Sequence, residues 1–527
     1  MLRTRFFAFT ATLLAILLLV AGCTTLGTQP QPAKQAQVQT ATRQVQAANA
    51  ALQHGNANAA LQRLAGLPQG LPPDLQQQAL AAQARAQLAN GNRLAAARAL
   101  IQRAALLPDA AQATEQQQAI AILAGMGRDR LQPLYASLPD NDPIKPWVQQ
   151  ALTHGATQVL PQLNQPVGTL AQSGAPQGYA MPTKIALLLP ATGPVAVAGT
   201  AVRDGFFTAY FHTPITQEQR PAIAVYDTGG TPDGALVAYQ QAVAGGATLV
   251  VGPLGRAAVG TLFSQASLPV PVLALNHPQG ETSAPAGSAE FALLPEAEGA
   301  QVAAHMIEHG LHAAIVFRST GDTAMRTFNA FEAQFTSLGG QVANDIVLQP
   351  GTVDFASQIQ ATLAGSGSQS GIVALLRPEQ ARLLLPQLKL ARSTLPVFST
   401  SMIYSGTPNA IADGDLDGVQ FCDEPWLYDA QAGLPDQATL ASLLPTANGP
   451  AARLFAFGMD AYDLVPYIGW LRSHPGSYLP GATGQLAMNA FGYVQRAPIW
   501  VQFQGGIARP METGLQAQPA SASSSGP

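Results

Sequence analysis

From residue 184 onward, short apolar runs alternate with amphipathic stretches. Residues 184–190 (KIALLLP) form an unbroken apolar run between a lysine and a proline. A run of that length with no polar alternation is a strand covered on both faces. The pattern then predicts helices over 198–211, 235–244, 256–266, 296–309, 323–338 and 379–388. Between them it predicts strands over 223–226, 248–251, 270–275, 313–317, 371–376 and 397–399. Strands that alternate with helices of 10–15 residues build parallel sheets with helices on both faces. More than 300 residues of this texture exceed what one core accommodates, so residues 184–512 are expected to form two α/β lobes. Residues 38–160 differ. Ala, Gln and Leu dominate, and apolar positions recur at helical spacing, as in Leu80, Ala84, Leu88 and Leu94, Ala97, Ile101. The expected class is therefore multidomain, an all-α domain followed by a two-lobed α/β domain. Residues 161–183, rich in Pro, Gly and Gln and without charge, read as the linker. Residues 513–527 read as a disordered tail.

Within the helical region two segments look alike. Leu52-Gln53-His54-Gly55-Asn56 and Leu88-Ala89-Asn90-Gly91-Asn92 place their glycines 36 residues apart, and each precedes an Ala/Leu/Arg helix. A period in the mid-thirties with a glycine turn between alanine-rich helices resembles the tetratricopeptide repeat. An irregular helical bundle fits the same residues, since only two units are clear.

Charge narrows the function. Only 11% of the chain is charged, the net charge is −4, and the lysines number four: Lys34, Lys145, Lys184 and Lys389. A nucleic-acid binder needs a dense cationic surface, so that class is excluded as a partner. Two cysteines cannot make a disulfide framework. The first has its own context. Arg3 and Arg5 precede fifteen uncharged residues, 6–20, which end in Leu19-Val20-Ala21-Gly22-Cys23. That length suits a signal peptide rather than a membrane-spanning helix. The ending resembles a bacterial lipobox, which implies cleavage after residue 22 and lipidation of Cys23. Multiple acyl chains would make a lasting tether. Thr24, rather than Asp, follows the cysteine, which by the sorting pattern of such lipoproteins implies the outer membrane, facing the periplasm. The Thr/Gln/Pro-rich residues 23–37 read as a flexible stalk.

Further motifs carry a family likeness. Residues 184–190, Gly193-Pro194-Val195-Ala196-Val197-Ala198-Gly199 and Arg203-Asp204-Gly205-Phe206 resemble the opening of type I periplasmic binding proteins. Other segments resemble one branch of them, the penicillin-binding protein activator LpoA family. These are Val250-Val251-Gly252-Pro253-Leu254, Val272-Leu273-Ala274-Leu275-Asn276, Asp417-Gly418-Val419 leading to Pro425-Trp426, and Gly481-Ala482-Thr483-Gly484-Gln485-Leu486. The last is followed by Arg496 and Trp500-Val501-Gln502-Phe503-Gln504-Gly505. The resemblance implies an outer-membrane lipoprotein whose C-terminal domain binds a class A penicillin-binding protein and stimulates peptidoglycan crosslinking. It implies a regulator rather than an enzyme, and no cofactor.

In doubly wound sheets, ligands bind beyond the carboxyl ends of the strands. The candidate cleft residues are thus Thr192, Gly193, Gly252, Pro253, Arg256, Asn276, His277, Arg318, Ser401 and Tyr404. Arg256 and Arg318 suit an anion. The run of Ser/Thr hydroxyls that amino-acid-binding relatives use is missing from these loops, which favours a protein-binding regulator over a solute receptor. A lipid-anchored receptor for a small molecule is the alternative.

Two metal motifs need weighing. His305-Met306-Ile307-Glu308-His309 spells H-x-x-E-H, the pattern of inverted zinc peptidases, which would make a cell-wall hydrolase. The competing reading is a helix end with histidines near the negative pole of its dipole. Asp413, Asp415, Asp417 and Glu424 satisfy the spacing of a Ca²⁺-binding EF-hand loop. Against it, Gln420 stands where an aliphatic is usual, Pro425 blocks a following helix, and Val419 and Phe421 alternate like a strand. Cys422 in that strand reads as a buried free thiol. No Walker A loop, G-x-S-x-G or G-x-G-x-x-G is present.

Overall fold

The computed structural model describes residues 32–53, 56–124, 126, 128–154, 163, 165–166, 180–213, 220–265, 267–278, 284–285, 287–474, 476–489 and 491–511. The signal peptide, Cys23 and the expected tail lie outside the described residues. The chain divides into two compact units, residues 1–119 and 120–527.

The first unit is helical: α1 (Pro32–Gln53), α2 (Ala57–Ala65), α3 (Pro73–Ala89), α4 (Arg93–Ala104) and the start of α5 (Asp109–Ala124). Helix α1 begins at Pro32, so residues 32–37 are helical rather than part of a flexible stalk. Proline is tolerated in a first turn, and the residues after it are good helix formers. The core is built from alanines, among them Ala41, Ala48, Ala60, Ala82, Ala86, Ala96 and Ala97. Small side chains let the helices approach closely. The two look-alike segments meet through their turns, where Asn90 Nδ2 donates to Asn58 Oδ1 at 2.7 Å. Gly91 adopts a left-handed φ of 75°, as its turn requires.

The second unit contains α6 (Arg128–Ser137) and α7 (Lys145–His154), so the helical region expected to end at 160 is shared between units. The rest is two mixed sheets, one per lobe. The first has nine strands in the order β1-β12-β13-β14-β6-β5-β4-β2-β3. They are β1 (Gln165–Pro166), β2 (Lys184–Leu189), β3 (Ala222–Asp227), β4 (Leu249–Val251), β5 (Val272–Ala274), β6 (Ala289–Phe291), β12 (Ser477–Gly481), β13 (Gly484–Met488) and β14 (Tyr493–Ala497). The second has seven, in the order β16-β15-β11-β10-β9-β7-β8. They are β7 (Ala313–Ser319), β8 (Gln341–Leu348), β9 (Ser370–Leu375), β10 (Val397–Ser399), β11 (Gln420–Asp423), β15 (Ile499–Gln504) and β16 (Ile507–Pro510).

The expected parallel sheets are present but incomplete. Strands β3-β2-β4-β5-β6 pair in parallel, as do β8-β7-β9-β10-β11. Each sheet is then extended by C-terminal strands with antiparallel pairing, β12–β13–β14 in one and β11–β15–β16 in the other. A second difference falls in the expected linker, where Gln165 and Pro166 pair with Ser477 and Tyr478.

The chain crosses between lobes three times: after β6, after β11 and between β14 and β15. The first lobe is anchored by a crossing of helix α8 (Ala196–His212) and helix α17 (Ala452–Asp463), numbered in chain order. A Cβ on Gly205 would sit 1.9 Å from the Phe455 carbonyl oxygen, and one on Gly458 2.1 Å from that of Val202. Reciprocal glycines bring the two backbones into contact.

Candidate functional site: the interlobe hinge

The strand ends named in the sequence are where a doubly wound fold puts a ligand, but their polar groups already have partners. Thr192 Oγ1 donates to Asp227 at 2.7 Å, and the neighbouring Gly193 has φ 85°. Those bonds, with N–H groups of Ala191 and Gly229, hold the Asp227 carboxyl down at about 2. Gly252 and Pro253 end β4 with a cis peptide and are buried. Asn276 Nδ2 donates to the Leu254 carbonyl at 2.9 Å, and its Oδ1 accepts the His277 N–H. His277 is buried, 2.5 Å from Glu290 Oε2 through Nδ1, with its ring against Tyr493.

Arg318 is not in a loop. It lies within β7, buried, with Nε and Nη2 donating to the two carboxylate oxygens of Asp345 on β8, each at 2.7 Å, and its guanidinium over Phe328. Burial of a guanidinium without its counter-charge is prohibitive, so the pair is a structural unit and not an anion receptor. Arg256 opens α10 (Arg256–Phe263), exposed, with no ion pair among the described residues.

Ser401 and Tyr404 are drawn elsewhere, into a buried ionic network at the hinge. Ser401 donates through its N–H (3.0 Å) and Oγ (2.8 Å) to Glu298 Oε2, in the first turn of α11 (Pro295–Glu308). Arg496, at the end of β14, reaches Glu424 Oε1 at 3.2 Å, Glu298 Oε1 at 3.5 Å and the Thr483 carbonyl at 3.1 Å. Arg453 on α17 forks onto Asp423, with Nε to Oδ1 at 2.8 Å and Nη2 to Oδ2 at 2.6 Å. Arg453 also meets Glu424 Oε2 at 3.1 Å and the Tyr404 carbonyl at 3.3 Å. Tyr428 donates its hydroxyl to Asp423 at 2.7 Å. Glu298, Glu424 and Arg496 thus sit beside the three crossings between lobes, and the network ties all three.

The network is unbalanced. Three carboxyl groups (Glu298, Asp423, Glu424) face two guanidiniums (Arg453, Arg496). Burial, then the adjacent Asp423, push the Glu424 carboxyl well above the carboxylate range, and burial also raises Glu298. The Asp423 carboxyl lies below its ordinary value because Arg453 outweighs its burial. Glu424 is therefore the group that carries a proton. Burial, with Asp423 and Asp413, pushes the Tyr404 phenol up to about 12.

Beside the network, Asp460 of α17 caps the turn between β12 and β13. It accepts the Ala482 N–H (2.5 Å), the Thr483 N–H (2.7 Å) and Thr483 Oγ1 (2.5 Å). Burial still raises it to about 6. A Cβ on Gly481 would lie 2.7 Å from Asp460 Oδ1, which explains the glycine in that motif.

Neither metal motif assembles. Asp413 pairs with Arg382 at 2.7 Å, Asp417 Oδ1 accepts the Gly506 N–H at 2.7 Å, Asp415 is exposed, and Glu424 belongs to the hinge. The four carboxyl groups face separate partners because a short 3-10 turn (Gly414–Leu416) and then β11 replace a calcium loop and its exiting helix. His305 is buried, stacked 3.5 Å from the Trp500 ring and 3.2 Å from Gln420 Oε1, and burial lowers it to about 4. His309 Nδ1 turns back to the His305 carbonyl. Among the described residues no group of three or more His, Cys, Asp or Glu side chains is placed to hold a metal ion. Cys422 is a buried free thiol opposite Trp500 on β15, and burial raises it. No helix among the described residues is long and apolar enough to cross a membrane.

Sequence reasoning singled out Arg496 and Glu424 for other reasons and missed Glu298, Asp423, Arg453 and Asp460. The acidic pair Asp423-Glu424 directly before a proline at the end of an apolar strand was the available signal.

Comparison with known proteins agrees with this architecture. The chain is 28% identical over 388 residues to a penicillin-binding protein activator LpoA from Photobacterium profundum, covering 68% of this chain and 61% of that one. The chain thus spans about three fifths of that relative's length. The LpoA C-domain from Haemophilus influenzae, described as a regulator of PBP1A, matches at TM-score 0.53 and 26% identity, over 62% of this chain and 99% of that one. Full-length LpoA from the same organism matches at TM-score 0.57 and 21% identity, over 90% and 88%, and shares the fold. The LppC lipoprotein model matches residues 24–506. With all but the ends of its sequence inside that match, and with a helical region ahead of two sheets as in the LpoA fold, the chain belongs to the LppC lipoprotein family.

Proposed function

We propose that this chain is an outer-membrane lipoprotein that binds a class A penicillin-binding protein and raises its peptidoglycan crosslinking, itself doing no chemistry. The observation that carries the reading is the likeness of the two-lobed unit to nearly the whole of a domain described as a regulator of PBP1A. The polar groups at the strand ends support it. Thr192, Asn276, His277, Arg318 and Ser401 are bonded within the protein, which suits a lobed scaffold recognising a protein better than a receptor enclosing a solute. In this reading residues 1–22 are removed, Cys23 carries the lipid, residues 38–160 form the arm and residues 184–512 the binding head. Activation follows if the head binds the active conformation of the synthase more tightly than the inactive one.

The test is a pull-down of a class A penicillin-binding protein from detergent extract with the full chain, followed by a crosslinking assay. Specific retention and a several-fold rise in crosslinked product are expected. No retention and no stimulation would overturn the reading.

A further inference from the structure

Lobe one carries a groove that the hinge does not use. It runs along the second half of α8, between that helix and the segment containing α16 (Gln437–Leu443). Two hollows of about 440 and 360 Å³ share His212 and Pro435 as walls and so form one trough. Phe207, Phe211, Leu440 and Leu444 line the larger part. Phe211 is 66% exposed and Leu443, on the rim, 70%. Contiguous apolar side chains on an otherwise polar rim mark an interaction surface.

The smaller part holds a carboxylate, Asp463, at the C-terminal end of α17. No described residue gives it a hydrogen bond or an ion pair, and the one charge that acts on it is the repelling Asp460. A half-buried carboxylate without a partner, at the negative end of a helix, is costly to keep. Burial pushes it up to about 7. The other acid in the trough, Asp204, is already satisfied by Arg203 (2.9 Å) and Thr446 Oγ1 (2.8 Å). His212 points its Nε2 at the Gly433 carbonyl, 3.2 Å away.

We propose that this trough is the docking site for a segment of the peptidoglycan synthase that presents two or three apolar side chains beside one Lys or Arg, the cation meeting Asp463. The inference rests on the activator reading above. Charge complementarity selects the occupant. A chain of net charge −4 with an uncompensated acid in an apolar trough attracts a basic segment and repels anionic lipid headgroups. The aromatic pair supplies the buried anchors that dominate such interfaces, and an amphipathic helix laid in a groove is the matching geometry.

The experiment compares the full chain with Phe211→Ser, Asp463→Asn and, on the N-terminal half of the same helix away from the trough, Val197→Ser. Each is titrated against a class A penicillin-binding protein at low and moderate salt, with the melting temperature of each variant measured alongside. Phe211→Ser is expected to weaken binding about tenfold. Asp463→Asn should weaken it about fivefold, with a shallower salt dependence. Val197→Ser should bind as the wild type. Wild-type binding together with unchanged binding of both trough variants would overturn the proposal and leave the activator reading standing. Self-association abolished by Phe211→Ser would assign the trough to a second copy and overturn it too. Wild-type protein that binds no synthase would overturn the activator reading itself and the docking proposal with it.

Discussion

Arg453 holds two acids at once, and its removal leaves Asp423 buried without a counter-charge. Breaking one partner of a buried ion pair is far costlier than the pair's net worth. Arg453→Met should therefore destabilise the second unit by about 3–5 kcal/mol in urea unfolding. Glu424→Gln should cost about 1 kcal/mol or less, because that side chain already carries a proton. Equal losses for the two would contradict the charge assignment. Asp463 gives a pH signature. Its folded carboxyl, at about 7, lies above the ordinary aspartate value, so protonation favours the folded state. The stability it contributes is present below about pH 4 and is lost as pH rises through 7; Asp460, at about 6, shares part of that window. Asp463→Asn should flatten the decline and raise stability at pH 8 by roughly 1–2 kcal/mol. A melting temperature that falls equally in both proteins between pH 5 and pH 8 would assign the decline to other groups. A variant more stable than wild type but weaker at docking is the usual trade at a binding site.

At the scale of elements, the crossing of α8 on α17 depends on two residues that lack a side chain. Gly205→Ala would put a methyl group 1.9 Å from the Phe455 carbonyl oxygen and force the helices apart. Overpacking of this kind costs about 2–3 kcal/mol, read as a lowered urea midpoint at unchanged slope. Substitution at Gly365, where a Cβ would meet nothing within 4 Å, serves as the control. Much of this level was legible in the sequence. The alternation from residue 184 to residue 399 is strong because each buried strand is an unbroken apolar run. The edge strand β8 was not legible, since QVANDIVL is mostly exposed and carries polar residues on both faces. Neither were the antiparallel strands β12–β16, which are short and interrupted by glycine and proline. The spacing that suggested zinc and calcium sites was real, but strand β11 and the stack of His305 on Trp500 gave those residues other neighbours.

The whole molecule is organised around three crossings locked by one network. Glu298 and Arg496 are 198 residues apart in sequence and meet at 3.5 Å. A receptor that closes on a solute needs a hinge free to bend, whereas breaking this one would expose two buried arginines and their acids. Branched-chain amino acids at millimolar concentration should therefore shift the melting temperature by less than about 1 °C, well short of what a ligand at a hundred times its Kd produces. A shift of several degrees with any one of them would favour the receptor alternative. The sequence alone determined what depends on near neighbours. It determined which runs form buried strands, which stretches form helices, how little charge the chain carries, and the order of helical region before α/β lobes. Such features follow from the periodicity of a few adjacent residues. The tertiary structure alone decided which acid meets which arginine, which carboxylate is left without a partner, and where an apolar trough opens. Those outcomes depend on segments hundreds of residues apart being brought to one point, where the free energy of a charge is set by what surrounds it and not by its place in the chain.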